Sequence, residues 1–423
     1  MKKAAQSLFI SALFFSSTWL HGVCDQAWIG DNEGNVAVID TDTQMETSLF
    51  QPGDSEAVAM AFTPDGLEVF LVDIGMGVYV IDAATQTTIA MSLIEGTDVV
   101  ISPNGQFAYI PFFVGADGFI LQVNTMTLAE NFFPAVGAYP SPLKGITITP
   151  DGSTLFVTTL NEVLVVDASN GNLLTTIPIP GTNLVNIAIT PDGSYVYVIA
   201  APPSAPFPTV YQINTSTFAV NAVSTVGFPA FASPGGIAIS PNGQFAYVTD
   251  SANESVYVIN ISTNSVIKEI LNPSFMEPTA IAITPDGSFL YVANFGTTGM
   301  VSIINTSTFA ITTMATGDTG QPLSIAMSPS CAAPSGPVTG KVCKNEDFWQ
   351  TEIFSAISWN PPLNFTPVEY QIFRNGVLID TVSSSQLSFK QHDLKKNKTY
   401  VYSIYAVNNN DVTLFIGSVS LRT

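Results

Sequence analysis

The chain has 423 residues, of which 46% are hydrophobic and only 11% charged, with a formal net charge of −21. The charge is uneven: residues 24–330 hold 26 acidic and two basic residues, Lys144 and Lys268, whereas residues 331–423 hold seven acidic and eight basic. So acidic a body excludes nucleic acid as a partner, because phosphate binding needs clustered Lys and Arg.

Residues 1–22 read as a signal peptide, with Lys2 and Lys3 ahead of the apolar run from Leu8 to Leu20. That run is shorter than a transmembrane span, and no other segment is long and apolar enough to cross as a helix. Export to the periplasm, the cell surface or the medium is therefore expected. His21 would leave with the signal, which makes His392 the only histidine of the mature chain. A histidine-ligated metal in the acidic body is excluded, and a histidine general base there is missing.

Residues 23–331 carry a repeat. Pro64, Pro103, Pro150, Pro191, Pro241, Pro285 and Pro329 recur at intervals of 39 to 50 residues. Six of them sit in one local pattern, as in Phe62-Thr63-Pro64-Asp65-Gly66 and Ile283-Thr284-Pro285-Asp286-Gly287. Each repeat reads as four strands. The first alternates large and small residues, as in Ile237-Ala238-Ile239, which is a period of two. A Pro-Asp-Gly turn leads to a second strand such as Phe245 to Asp250, and a third ends at an Asp or Asn. Those residues are Asp40, Asp82, Asn124, Asp167, Asn214, Asn260 and Asn305, each expected to cap a turn through its side chain. Seven such units of 40–50 residues predict an all-β, seven-bladed β-propeller.

Tyr247-Val248-Thr249-Asp250 and Tyr291-Val292-Ala293-Asn294, with Ile281-Ala282-Ile283-Thr284-Pro285-Asp286-Gly287, resemble the YVTN-type seven-bladed propeller family over residues 25–330. The resemblance implies the fold. It leaves function open among surface-layer-like proteins, lactonase-like enzymes and lyases.

The array begins with a second strand, Ala27-Trp28-Ile29-Gly30, and ends with a lone first strand, Leu323 to Ser328. One blade is therefore expected to be built from both termini. Alignment to the other repeats puts Cys24 and Cys331 in the column of Gly243, at the two ends of the one missing turn. A Cys24–Cys331 disulfide would close the ring and leave Cys343 free, and the competing pairing is Cys331 with Cys343. Residues 332–345 have linker composition. Beyond them, Trp359, the Asn375-Gly376 turn, and Leu394 with Tyr400 resemble a fibronectin type III β-sandwich over residues 346–423.

Both sets of repetitive turns share one end of the ring, so the variable loops share the other, and binding is expected there. Phe112, Phe113, Phe132, Tyr139, Phe231 and Phe275 are the candidate ligand-binding aromatics. Glu56, Glu95, Asn183 and Glu277 fall eight residues before a repeat proline, at the channel mouth, with Asp98 and Asn186 three residues deeper. Glu56, Glu95, Asp98 and Glu277 are the candidate ligands for Ca²⁺. The expectation is a monomeric exported binding protein for an extracellular glycan or protein, without a required cofactor. The alternatives are a metal-assisted lactonase-like hydrolase using Glu56, Glu95, Asp98, Asn186 and Glu277, and a structural envelope component.

Overall fold

A sheet that is apolar on both faces must be covered twice, and a ring of such sheets covers every face with a neighbour. The computed structural model shows that solution. It describes residues 25–133, 139, 141–180, 183–201, 208–296, 299–317, 320–329, 339–347, 350–358, 369–374, 377–385, 388–391, 398–407 and 413–422. Seven four-stranded antiparallel sheets form the blades. Blade 1 joins Pro322–Met327 to Gln26–Asp31, Val36–Asp40 and Met45–Phe50. Blade 2 comprises Glu56–Phe62, Glu68–Ile74, Gly77–Asp82 and Thr87–Ser92, and blade 3 Val100–Ile101, Phe107–Val114, Asp117–Asn124 and Glu130–Phe133. Blade 4 comprises Ile146–Ile148, Thr154–Thr158, Glu162–Asp167 and Leu173–Pro178. Blades 5, 6 and 7 begin at Leu184–Ile189, Pro234–Ile239 and Pro278–Ile283. Among the described residues no helix is long and apolar enough to cross a membrane.

Second and third strands are buried on both faces, as in Tyr195–Ala200, while the fourth strand, as in Leu173–Pro178, is largely exposed. Core clusters accordingly span adjacent blades: Phe70 and Val80 of blade 2 pack with Ile110 and Leu121 of blade 3.

The repeated turn has a physical cause at every position. Gly66 has φ +68° and donates its N–H to the Thr63 carbonyl. The Thr63 hydroxyl donates to Asp65 and accepts from the Glu68 N–H, which starts the second strand. A Cβ at Gly193 would stand 3.0 Å from Pro150 of the preceding blade, and one at Gly105 would stand 3.3 Å from Pro64. The proline of one blade thus seats the turn glycine of the next. The Asx turns form as expected: Asp40, Asp82, Asn124, Asn214, Asn260 and Asn305 each accept from the backbone N–H and hydroxyl of the Thr three residues on. Asp167 does the same with Ser169.

The ring closes through blade 1, where Trp28 lies opposite Ala326. Gln26 and Ser328 exchange two hydrogen bonds of 2.9 Å, and Asn32 with Gln321 secures the other end of the pairing. Trp28 is fully buried, edge-on to Phe50 at 5.2 Å and Phe62 at 5.3 Å. The tail forms a three-stranded sheet of Thr339–Asp347, Gln350–Ser358 and Ser388–Gln391. A four-stranded sheet of Val377–Ser383, Glu369–Arg374, Thr399–Val407 and Thr413–Arg422 accompanies it. Ile357 of the first shares a core with Tyr370, Ile372 and Tyr402 of the second. Trp359 and Leu394 lie outside the described residues.

Trp28→Ala should destabilise the protein by about 3–5 kcal/mol in urea unfolding, because it opens a cavity in the closing blade. A loss below 1 kcal/mol would contradict that role. Cys24 and Cys331 lie outside the described residues, but the chain next to them is joined by the Gln26–Ser328 hydrogen bonds. Non-reducing peptide mapping is expected to recover a Cys24–Cys331 peptide, and recovery of Cys331 with Cys343 would refute the pairing.

Candidate functional site

The first strand of each blade carries its open edge toward the central channel. In blades 2, 5, 6 and 7 that strand is bulged near its variable-loop end, between Ala57 and Ala59, Leu184 and Asn186, Pro234 and Ile237, and Pro278 and Ile281. A bulge re-aims a side chain. The corresponding residues of blades 3 and 4 are Thr97–Asp98 and Lys144–Gly145. Across blades 3 to 5 this level is strongly polar, whereas in blades 2, 6 and 1 it holds Val58 with Ala59, Gly235 with Gly236, and Leu323 with Ser324.

Asp98 ties blade 3 to blade 4. One carboxylate oxygen accepts from its neighbour Val99 N–H at 2.8 Å, and the other from Ile146 N–H of blade 4 at 2.9 Å. Burial pushes its pKa up to about 6 from an ordinary 3.8, against the lowering effect of those two donors. The absence of a side chain at Gly145 keeps the space beside it open, since a Cβ there would lie 3.6 Å from the carboxylate. Lys144 Nζ donates to Asn183 Oδ1 of blade 5 at 2.7 Å, and burial lowers its pKa. Asn183, at φ +63°, donates its amide N–H to the Ala201 carbonyl. Asn186 Oδ1 accepts from the Ile187 N–H at 2.8 Å. Lys144 keeps two N–H donors for a ligand, Asn186 keeps its amide, and Asp98 keeps spare lone pairs. Together they can grip a group rich in hydroxyls.

Of these residues, Lys144 and Asn183 meet directly, and Asp98 reaches across to the blade that carries Lys144. Glu56, Glu95 and Glu277 are exposed around the rim. Among the described residues no three His, Cys, Asp or Glu side chains are grouped so as to hold a metal ion, so the expected calcium set does not converge. Glu95 and Asp98 lead into blade 3, whereas Glu56 starts blade 2 and Glu277 leads into blade 7. Lys144 was not among the candidates that the spacing suggested. Its rarity was the available signal, as one of two basic residues in 24–330.

The aromatic expectation needs correction. Phe112, Tyr139, Phe231 and Phe275 are buried, at 7%, 2%, 3% and 0% exposure. Phe112 stacks on Phe119, Phe231 lies edge-on to Tyr257 at 4.9 Å, and the Tyr139 hydroxyl donates to the Gly171 carbonyl. Burial of a large ring releases more hydration free energy than the loop could gain by displaying it. Only Phe113 and Phe132 remain exposed, at 49% and 43%. Both belong to blade 3, where the strands Phe107–Val114 and Asp117–Asn124 run eight residues each and form a longer hairpin than blade 4 has.

Asp98 binds its proton more tightly folded than unfolded. Its stability contribution is therefore greatest below about pH 4 and is lost as pH rises toward 6. The margin of wild type over Asp98→Ser, measured by urea unfolding, should shrink by roughly 1–2 kcal/mol between pH 4 and pH 7. A margin that grew with pH would contradict this.

Comparison with known proteins follows the same architecture. The family described as "Lactonase, 7-bladed beta-propeller" matches residues 146–314. No curated protein matches. Among solved structures, the chain is similar to Kuenenia stuttgartiensis hydrazine synthase, with 20% identity over 67% of this chain and 90% of that chain, at a TM-score of 0.54. It is also similar to the β-propeller domain of Myceliophteria thermophila Cps50 (Swd1), with 14% identity over 70% of this chain and 97% of that one, at a TM-score of 0.53. At such identities the likeness is one of fold, and with the seven sheets it makes residues 26–327 a seven-bladed β-propeller.

Proposed function

We propose that this chain is an exported binding protein whose variable-loop face takes a glycan. The observation that carries the reading is the pairing of two chemistries on adjoining blades. Asp98, Lys144, Asn183 and Asn186 offer mixed donors and acceptors at the channel mouth. Phe113 and Phe132 offer exposed aromatic faces on blade 3, which also supplies Asp98. Sugars have this dual nature, with hydroxyls that both donate and accept and C–H faces that lie on aromatic rings. The acidic body disfavours polyanions and leaves neutral or cationic saccharides as the favoured class.

A second reading is a lactonase-like hydrolase, supported by the family match over residues 146–314 and by the shifted pKa values of Asp98 and Lys144. Among the described residues, the carboxylates that reading enlists form no group of three that could share an ion. Asp98 would then have to work with Lys144 and Asn186 alone. Turnover of a lactone by wild type that disappears in Asp98→Ala would favour the hydrolase.

A glycan array with the mature chain should identify a ligand. Phe113→Ala or Lys144→Met should each weaken it roughly tenfold or more, since an anchor residue is typically worth ~2 kcal/mol. Binding that maps wholly to residues 346–423 would make the propeller a spacer and defeat this reading.

A further inference from the structure

The Pro-Asp-Gly end, opposite the variable loops, carries a cleft of about 760 Å³ between blades 4 and 5. Its floor is apolar, with Phe156 and Val165, and Leu174 and Phe218 stand on its walls. Asp151 and Asp192 hold its rim. Phe218 is 39% exposed and Leu174 57%. Phe218 occupies the left-handed position of the Asx turn, φ +56°, and lines the cleft together with Phe156, Val165 and Leu174 of blade 4.

The repeat contains its own precedent for what fills this shape. Phe309 holds the same turn position in blade 7, φ +59°. There, Lys268 of blade 6 lays its ammonium over the ring, 4.8 Å from the centroid. Lys268 pairs across its blade with Val258, and the residue that pairs with the corresponding Val165 in blade 4 is Thr175. The two blade junctions thus share a phenylalanine, but the junction of blades 4 and 5 has Thr175 in place of the lysine. In place of that cation it has an additional carboxylate: Asp151 stands where the blade 6 turn has Asn242, and Asp192 where the blade 7 turn has Asp286.

We propose that the cleft between blades 4 and 5 receives a lysine side chain presented by a partner protein, with its ammonium over Phe218 and between Asp151 and Asp192. The aliphatic stem would lie on Leu174, as lysine stems cover apolar surface while the head stays near water. A cation over an aromatic face flanked by carboxylates is attracted by both. Both acids are charged at neutral pH. Burial opposes the charge of Asp151, but hydrogen bonds from Thr149 and Ser153 outweigh it and hold its pKa below the ordinary range. For Asp192 the Thr190 hydroxyl bond does the same. This site lies at the opposite end of the ring from the glycan face and does not depend on it.

Tetralysine titrated into the full chain, followed by calorimetry, tests the site. One peptide should bind wild type. Thr175→Lys should abolish binding by supplying the cation in cis, as Lys268 does in blade 6. Phe218→Leu keeps the apolar bulk but removes the ring, and should weaken binding about three- to tenfold. Lys268→Thr should open the precedent cleft and raise the stoichiometry from one to two. An unchanged melting temperature would show that each variant is folded. Binding that survives Thr175→Lys and Phe218→Leu unchanged and falls only with salt would be diffuse attraction to an acidic surface, and would overturn the proposal.

Discussion

Everything in this protein depends on one constraint: no blade can bury both of its faces by itself. Each sheet is apolar on two sides, so each requires a neighbour on both, and only a closed ring leaves no blade uncovered. The hydrogen bonding of Pro322–Met327 to Gln26–Asp31 is what closes it. The first and last strands of the array meet in one sheet, so the end blades cannot peel away without breaking a ladder and exposing Trp28.

That closure also sets where chemistry can occur. With the blade faces sealed, side chains reach solvent only at the outer strands, at the two ends and at the channel edge. On the channel edge the backbone of the first strand has unpaired groups, and polar side chains gather to meet them. Asp98 takes the Ile146 N–H of the next blade, and Thr97 donates its hydroxyl to the Lys144 carbonyl. The polar quadrant of blades 3 to 5 is thus partly a solution to a backbone problem. The residual donors of Lys144 and Asn186 make it a candidate site as well. At the other end, blades that share one plan differ in single residues: Lys268 of blade 6 lies over Phe309, whereas blade 4 has Thr175 at that position and an open cleft beside Phe218.

The repeat was legible because its residues have local causes. Proline fixes the turn, glycine takes the positive φ, and the Ser or Thr before the proline is bound to the Asp or Asn after it. The same holds for the Asx turns and for the closing strand, whose alternation matches the other first strands. The aromatic loops were not legible in this way. Phe231 and Phe113 lie in similarly apolar, glycine- and proline-bearing surroundings, yet one is buried against Tyr257 and the other is exposed. Which ring turns inward depends on a gap left by another blade, and that gap has no signature in local sequence.

The sequence by itself determined the number of blades, their four-strand plan, the turn chemistry and the joining of the termini in one sheet. Those features rest on contacts within a few residues, or on a pattern repeated seven times. Only the tertiary structure decided which residues of different blades meet. It brought Lys144 to Asn183 and joined Asp98 to the next blade through the Ile146 N–H. It also left Phe218 beside an open groove where Phe309 has Lys268. Such meetings depend on how all seven sheets pack around one closed ring, and no single segment of the chain encodes them.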